Sequence, residues 1–182
     1  MRRLAFAVVL AMAGMLVLPA SATAVTTTSY QYHLEVPNTS QDSHGDRVSV
    51  TGFGTFSENP KSVTGGGSFT HTFAGGGSHS GTWTADELLE FQLYGCGVLV
   101  LNGRTITLPP NFCGGALKMR VTLMPTGTTV TREGILTIFC IIGANPPNNH
   151  DDPTGEGITL VVPGVTNFNK IVEGMNVFIK QT

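Results

Sequence analysis

The chain has 182 residues, of which only 12% are charged, and its formal net charge is −2. A nucleic-acid binder needs clustered Lys and Arg, whereas the ten basic residues here are scattered, so composition argues against a nucleic-acid partner. Abundant Gly and Thr together with so little charge are typical of twisted sheets with polar, uncharged faces rather than of a disordered chain.

The N-terminus has the pattern of a secretory signal peptide. Arg2 and Arg3 precede an apolar run, and Ala22-Thr23-Ala24 has the small-residue spacing of a cleavage site. The apolar run is shorter than the roughly 20 residues that a membrane span needs. We therefore predict a signal peptide over 1–24 and a single secreted, extracellular β domain over 25–182, with no membrane span.

The first two elements are predicted to be strands. Apolar residues alternate with polar ones from Tyr30 to Val36, which indicates a half-buried strand whose polar face carries His33 into solvent. The same alternation continues over 47–56, where Gly52 and Gly54 indicate a bulge or a strong bend.

A glycine repeat follows. Gly-Gly-Gly-Ser occurs at 65–68 and again at 75–78, ten residues later. This spacing predicts two glycine turns around one short strand over 69–73, with the strand from Gly81 running back beside it as a meander.

One short helix is predicted next. Thr84-Ala85-Asp86-Glu87 has the spacing of a capping box, and Leu88, Leu89 and Phe91 supply an apolar stripe. It is the only helix that the pattern favours.

The remaining chain is again typical of strands. Asn102-Gly103 lies between two short runs and predicts a type I′ hairpin. Alternation over 117–123 predicts another strand, and the run 135–142 is apolar at nearly every position, which indicates a central strand covered on both faces. The longest irregular segment, 144–157, is followed by two final strands.

These elements predict an all-β, antiparallel, single-domain fold of about nine or ten strands with at most one short helix. A sandwich and a closed β-barrel both fit this pattern. A sandwich would fill its interior with side chains, whereas a barrel could hold a cavity.

Three cysteines leave one thiol unpaired if a disulfide forms. Cys96 and Cys113 both lie next to glycines, on either side of the predicted hairpin, whereas Cys140 lies inside the apolar run. We predict a Cys96–Cys113 disulfide and a buried, inert Cys140.

One group of residues is a candidate metal or acid–base site. His71, with His79 in the adjoining turn, could join His150, Asp151 and Asp152. The spacing matches no ligand motif, and a hydrogen-bonded His71 near the core is the simpler interpretation.

A second group of residues could bind or hydrolyse a carbohydrate. Trp83 could stack on a sugar, although its alternation with threonines favours the core. The carboxylates of Asp86, Glu87 and Glu90 could act as a glycosidase pair, although helix capping explains the first two more simply. Asn38-Thr39-Ser40 is an N-glycosylation sequon.

Three stretches carry a resemblance: GDRVSVTGFGTF at 45–56, KSVTGGGSFTH at 61–71 and GTWTA at 81–85. With the ending at 167–170, they resemble a group of small secreted β-rich proteins of bacteria and fungi that have no assigned activity. The resemblance implies one secreted domain and transfers no function.

The first functional expectation is a non-enzymatic extracellular module, without cofactor or metal, that binds a ligand or a surface. The alternative is a secreted hydrolase or metal-dependent enzyme, which would gain support if His71, the 150–152 segment and Glu156 met around one pocket. A second alternative is a β-barrel carrier of an apolar ligand, with an interior lined by Phe and Leu.

Overall fold

The computed structural model describes residues 27–144, 146 and 155–181. The predicted signal peptide and residues 150–152 therefore lie outside the described residues. Within them the chain forms twelve strands and no α-helix, and no described helix is long and apolar enough to cross a membrane. The strands are Ser29–Gln41 (β1), Arg47–Glu58 (β2), Lys61–Thr72 (β3), Ser78–Cys96 (β4), Val98–Leu101 (β5), Arg104–Thr107 (β6), Phe112–Pro125 (β7), Arg132–Cys140 (β8), Gly157–Val162 (β9), Thr166–Phe168 (β10), Lys170–Glu173 (β11) and Asn176–Lys180 (β12).

Most strands belong to one antiparallel sheet in the order β10-β9-β8-β7-β12-β1-β2-β3-β4. Because β4 also pairs with β7, the strands β1, β2, β3, β4, β7 and β12 form a closed ring, from which β8, β9 and β10 extend. β11 adds to the far end of β1, and β5 and β6 form a separate hairpin. The all-β antiparallel prediction is confirmed, in an architecture that is not a clean barrel.

The core follows the predicted alternation of β1. Tyr30, Tyr32 and Leu34 are buried, whereas His33 lies on the opposite face, half-buried, with its ring 6.3 Å from that of Phe53. Alternate residues of β7 fill the same interior. The pattern therefore predicts correctly which face packs inward from Tyr30 to Leu34. It fails at Val36, which is 37% exposed, because the register against β2 shifts after Leu34.

The first glycine triplet is not a turn. Gly65, Gly66 and Gly67 lie inside β3, in continuous register with β2, so the predicted turn is wrong. These glycines allow close approach of neighbouring strands and of a core side chain: a Cβ would lie 2.2 Å from the Trp83 carbonyl oxygen at Gly66 and 2.5 Å from the Tyr32 hydroxyl oxygen at Gly65. The irregularity predicted at Gly52 occurs where β2 pairs with β1, since the register shifts between Leu34, opposite Gly52, and Asn38, opposite Val50. The second triplet does form a turn, in which the Phe73 amide donates to the Gly77 carbonyl at 3.1 Å.

The predicted helix is also wrong, because residues 84–91 lie inside β4. Three apolar residues of β4 oppose three of β7, in the pairs Ala85–Val121, Leu88–Met119 and Phe91–Leu117. The spacing is three residues along β4 but two along β7, since register shifts at two bulges each insert one residue. The two bulges therefore place the inward-facing apolar residues of β4 three positions apart, which is also the spacing of an apolar stripe on a helix.

β8 is central, between β7 and β9, as predicted. Only one of its faces is fully buried: Leu136, Ile138 and Cys140 point into the core, whereas Thr137 and Phe139 are half-buried. The predicted central position is confirmed, but the second face is covered only in part, because its residues Ile135, Thr137 and Phe139 are half-buried.

The cysteines and the hairpin are as predicted. Asn102 and Gly103 have φ values of 50° and 70° and join β5 to β6. Cys96 and Cys113 are disulfide-bonded at directly opposed positions of β4 and β7. Cys140 is free and buried, and burial raises the pKa of its thiol well above the ordinary value, so it stays protonated.

Candidate functional site

An apolar pocket lies between the β2–β4 part of the sheet and strands β8–β10; we call it the β3–β10 pocket. Its volume is about 380 Å³, within the roughly 300–1,000 Å³ of small-molecule sites. The apolar lining consists mainly of Val48, Phe69, Leu123, Leu160, Val162 and Phe168. The polar lining consists of His71, His79, Thr126, Thr128, Arg132 and Thr166.

Burial separates the floor of this pocket from its mouth. Val48, Leu160 and Phe168 are at most 3% exposed and form the floor. Arg132, Thr126 and Thr128 are exposed, as is Val165, whose side chain is 60% exposed. The pocket is therefore apolar inside and polar at its opening.

His71 lines the pocket and is held by a carboxylate. Its Nε2 lies 3.1 Å from Oδ2 of Asp46, whose Oδ1 accepts the Ala74 amide at 2.8 Å. The ring also packs 5.3 Å from that of Phe168. This agrees with a hydrogen-bonded His71 near the core. The described residues contain no group of three or more His, Cys, Asp or Glu placed to hold a metal ion.

A second carboxylate ties β10 to the β1–β2 turn. Asp42 accepts the Thr166 hydroxyl at 2.7 Å and the amides of His44 and Asp46 at 2.8 and 2.9 Å. Burial alone would raise the pKa of Asp42, but these hydrogen bonds and nearby His44 lower it below the ordinary value. The carboxylate therefore fixes Thr166 in the pocket wall.

Sequence reasoning missed Asp42 and Asp46. The signal was present, because an Asp that begins a short turn between two strands commonly accepts backbone amides two residues on. The stretch Asp42-Ser43-His44-Gly45-Asp46 has that form. What sequence could not show is that the turn contacts residues 71 and 166.

Arg132 begins β8 opposite Leu123, at the mouth of the pocket. Among the described residues, it is the only Lys, Arg, Asp or Glu in the lining. Across the part of the chain that the structure describes, Arg132 makes no ion pair, whereas Arg120 lies 3.0 Å from Glu87 and also pairs with Glu133. The guanidinium of Arg132 is therefore available to a ligand.

The carbohydrate candidates lie elsewhere. Trp83 is 1% exposed, and its Nε1 donates to the Thr51 carbonyl at 2.9 Å, so its ring is not open to a sugar. Asp86 accepts the Thr122 hydroxyl at 2.8 Å, and Glu87 pairs with Arg120. These cross-strand contacts replace the helix-capping role that the sequence predicted. Glu90 is exposed on the same strand.

The sequon asparagine is buried. Asn38 has no exposed surface, its Nδ2 donates to the Val36 carbonyl at 2.8 Å, and its Oδ1 accepts Asn176 Nδ2 at 3.0 Å. The folded chain therefore does not present this side chain for glycosylation.

The acid–base cluster can be assessed only in part, because His150, Asp151 and Asp152 lie outside the described residues. Glu156 accepts the Asn176 amide at 2.6 Å and lines a different pocket, of about 440 Å³, beside the β5–β6 hairpin. Burial raises the pKa of Glu156. His71 and Glu156 therefore do not meet around one pocket.

Comparison with family models, curated proteins and solved structures found no match to this chain. Its function is therefore inferred from the site.

Proposed function

We propose that this chain is a secreted, non-enzymatic binding module that holds a small, largely apolar ligand in the β3–β10 pocket. The observation that carries the proposal is the pocket floor of buried aromatic and aliphatic side chains. Each ligand methylene buried there would contribute about 0.8 kcal/mol. The lining by Phe and Leu also favours the role of an apolar-ligand carrier within this class.

Two features support secretion. The first 24 residues have the charge, apolar run and cleavage motif of a signal peptide. The Cys96–Cys113 disulfide is typical of proteins that fold in an oxidising compartment. Both are compatible with an extracellular binding module.

His71 is not placed to activate a protein nucleophile among the described residues. A histidine that activates a serine, threonine or cysteine lies within hydrogen-bond distance of its hydroxyl or thiol. Among the described residues, the hydrogen-bond partner of His71 is Asp46. The histidine is therefore better explained as a polar part of the pocket wall.

A fluorescence titration with Nile red, a neutral apolar dye, tests the proposal. We expect saturable binding near one equivalent, weakened about tenfold or more in Val165→Trp because the indole would occupy the pocket mouth. Leu93→Trp is the matched control, since Leu93 is similarly exposed, at 46%, but does not line the pocket. Equal affinity in the two variants, or no saturable binding to the parent protein, would overturn the proposal.

A further inference from the structure

We infer that the ligand of the β3–β10 pocket is an amphiphile with an anionic head group, such as an alkyl carboxylate, and that Arg132 binds this head group at the pocket mouth. The inference rests on the proposed function and specifies the class of ligand.

The first support is the charge of the lining. Among the described residues, Arg132 contributes the only formal charge there, and it is positive, in a chain whose net charge is −2. The nearby carboxylates are already engaged, because Asp46 bonds to His71 and Asp42 bonds to Thr166. An anion at the mouth would therefore meet a cation without a competing carboxylate in the lining.

The second support is the contrast between two arginines. Arg120, on the neighbouring strand, is paired with the carboxylates of Glu87 and Glu133. Arg132 has no such partner among the described residues. A guanidinium presents parallel N–H donors that match the two oxygens of a carboxylate, and such bonds are about twice as strong as neutral ones.

The third support comes from the turn that joins β7 to β8. Thr126 and Thr128 line the pocket there, at the same end as Arg132. The Thr128 hydroxyl accepts the Val130 amide at 3.0 Å, which leaves its own hydrogen free to donate. Hydroxyl donors beside a guanidinium would complete the hydrogen bonding of an anionic head.

The fourth support is the order of polarity with depth. The cation and the threonine hydroxyls are exposed, whereas Phe69, Leu160 and Phe168 are buried behind them. A ligand with its charge at one end and an apolar chain at the other would satisfy both regions. A wholly apolar ligand would offer no group for the guanidinium of Arg132 to bind.

Calorimetric titration with decanoate and with 1-decanol separates the contribution of the head group to affinity from that of the alkyl chain. Both titrations are made near neutral pH and below the aggregation concentrations of the ligands. We expect the parent protein to bind decanoate about tenfold more tightly than decanol. Arg132→Gln should remove this preference by weakening decanoate binding about tenfold, with a smaller change in decanol affinity, whereas Arg132→Lys should retain part of the preference. Arg104→Gln, an exposed arginine on the β5–β6 hairpin, is the control and should match the parent.

The outcomes distinguish this inference from the proposed function. Equal affinity for decanoate and decanol in the parent protein, or a preference that persists in Arg132→Gln, would overturn the anionic head group and leave the apolar pocket standing. Failure of decanoate, decanol and Nile red alike would overturn both.

Discussion

Gly52 lies beneath the indole of Trp83, and its missing side chain is what allows this contact. A Cβ there would lie 2.5 Å from the Gly66 carbonyl oxygen and 2.6 Å from the indole. We expect Gly52→Ala to lower the free energy of unfolding by about 1–3 kcal/mol, because neither the backbone nor the indole can move freely away. Denaturant titration measures this change.

Gly75 supplies the control for that substitution. A Cβ at Gly75 would meet nothing within 4 Å, so Gly75→Ala should change stability by no more than about 0.5 kcal/mol. Equal losses in the two variants would show that Gly52 is not packed under the indole.

Asp42 makes the stability of the fold depend on acid pH. The pKa of Asp42 is lower than its ordinary 3.8 in the folded chain, so the carboxylate stabilises the fold above that value and this contribution is lost as the pH falls through the folded-state pKa. We expect Asp42→Asn to lower the Tm at pH 7 and to lower it much less near pH 2.

Thermal unfolding at the two pH values measures this effect. Asp86→Asn serves as the control, because Asp86 is an exposed carboxylate with a single hydroxyl partner. A loss of Tm in Asp42→Asn that is the same at both pH values would argue against an ionised carboxylate as the cause.

At the scale of elements, β4 is defined by its bulges. Leu88 is 4% exposed and opposes Met119 across the ladder, whereas Leu93 is 46% exposed on the same strand. We expect Leu88→Ala to cost about 2–5 kcal/mol of unfolding free energy and Leu93→Ala no more than about 0.5 kcal/mol. Similar costs, measured by denaturant titration, would contradict the register of β4 against β7.

The sequence predicted correctly those elements whose conformation is determined by residues close together in the chain. The alternation of β1 from Tyr30 to Leu34 and the Asn102-Gly103 turn depend on neighbouring residues, so both predictions are confirmed. The course of β4 depends instead on bulges against β7, and the β3 glycines are required by close contacts with the backbone of β2 and β4 and with Tyr32 of β1. Neither cause is visible in a short window of sequence.

The same reason explains what was missed in the site. His71 and Phe69 lie on one strand, but Asp46, Arg132 and Phe168 come from three separate segments. Pairing of β2 with β3 brings Asp46 to His71, and the β8–β10 extension brings Arg132 and Phe168 to the same pocket. The spacing of these residues along the sequence does not predict that they meet.

At the scale of the whole molecule, the predicted signal peptide sets the N-terminus that we expect for the mature protein. Because the small-residue motif ends at Ala24, we expect the protein recovered from culture medium to begin at Val25. Intact-mass analysis measures this. Recovery of the full 182-residue chain in a membrane fraction would contradict secretion.

The sheet also creates the proposed site at this scale. The β4–β7 ladder closes the ring, and β8, β9 and β10 extend from β7 to face β2 and β3. The pocket lies between these two parts, with Phe168 of β10 against His71 of β3. Phe53 is an exposed aromatic residue, with 67% of its surface accessible, on a separate surface of the sheet. It offers a competing binding position for an apolar ligand.

The most direct test of the binding proposal is to locate the alkyl chain of a bound ligand on the protein. Intermolecular nuclear Overhauser effects between the methylenes of 1-decanol and the protein side chains locate it in solution. We predict contacts to Phe69, Leu160 and Phe168. Contacts to Phe53 instead, or none to these three residues at saturating decanol, would contradict binding in the β3–β10 pocket.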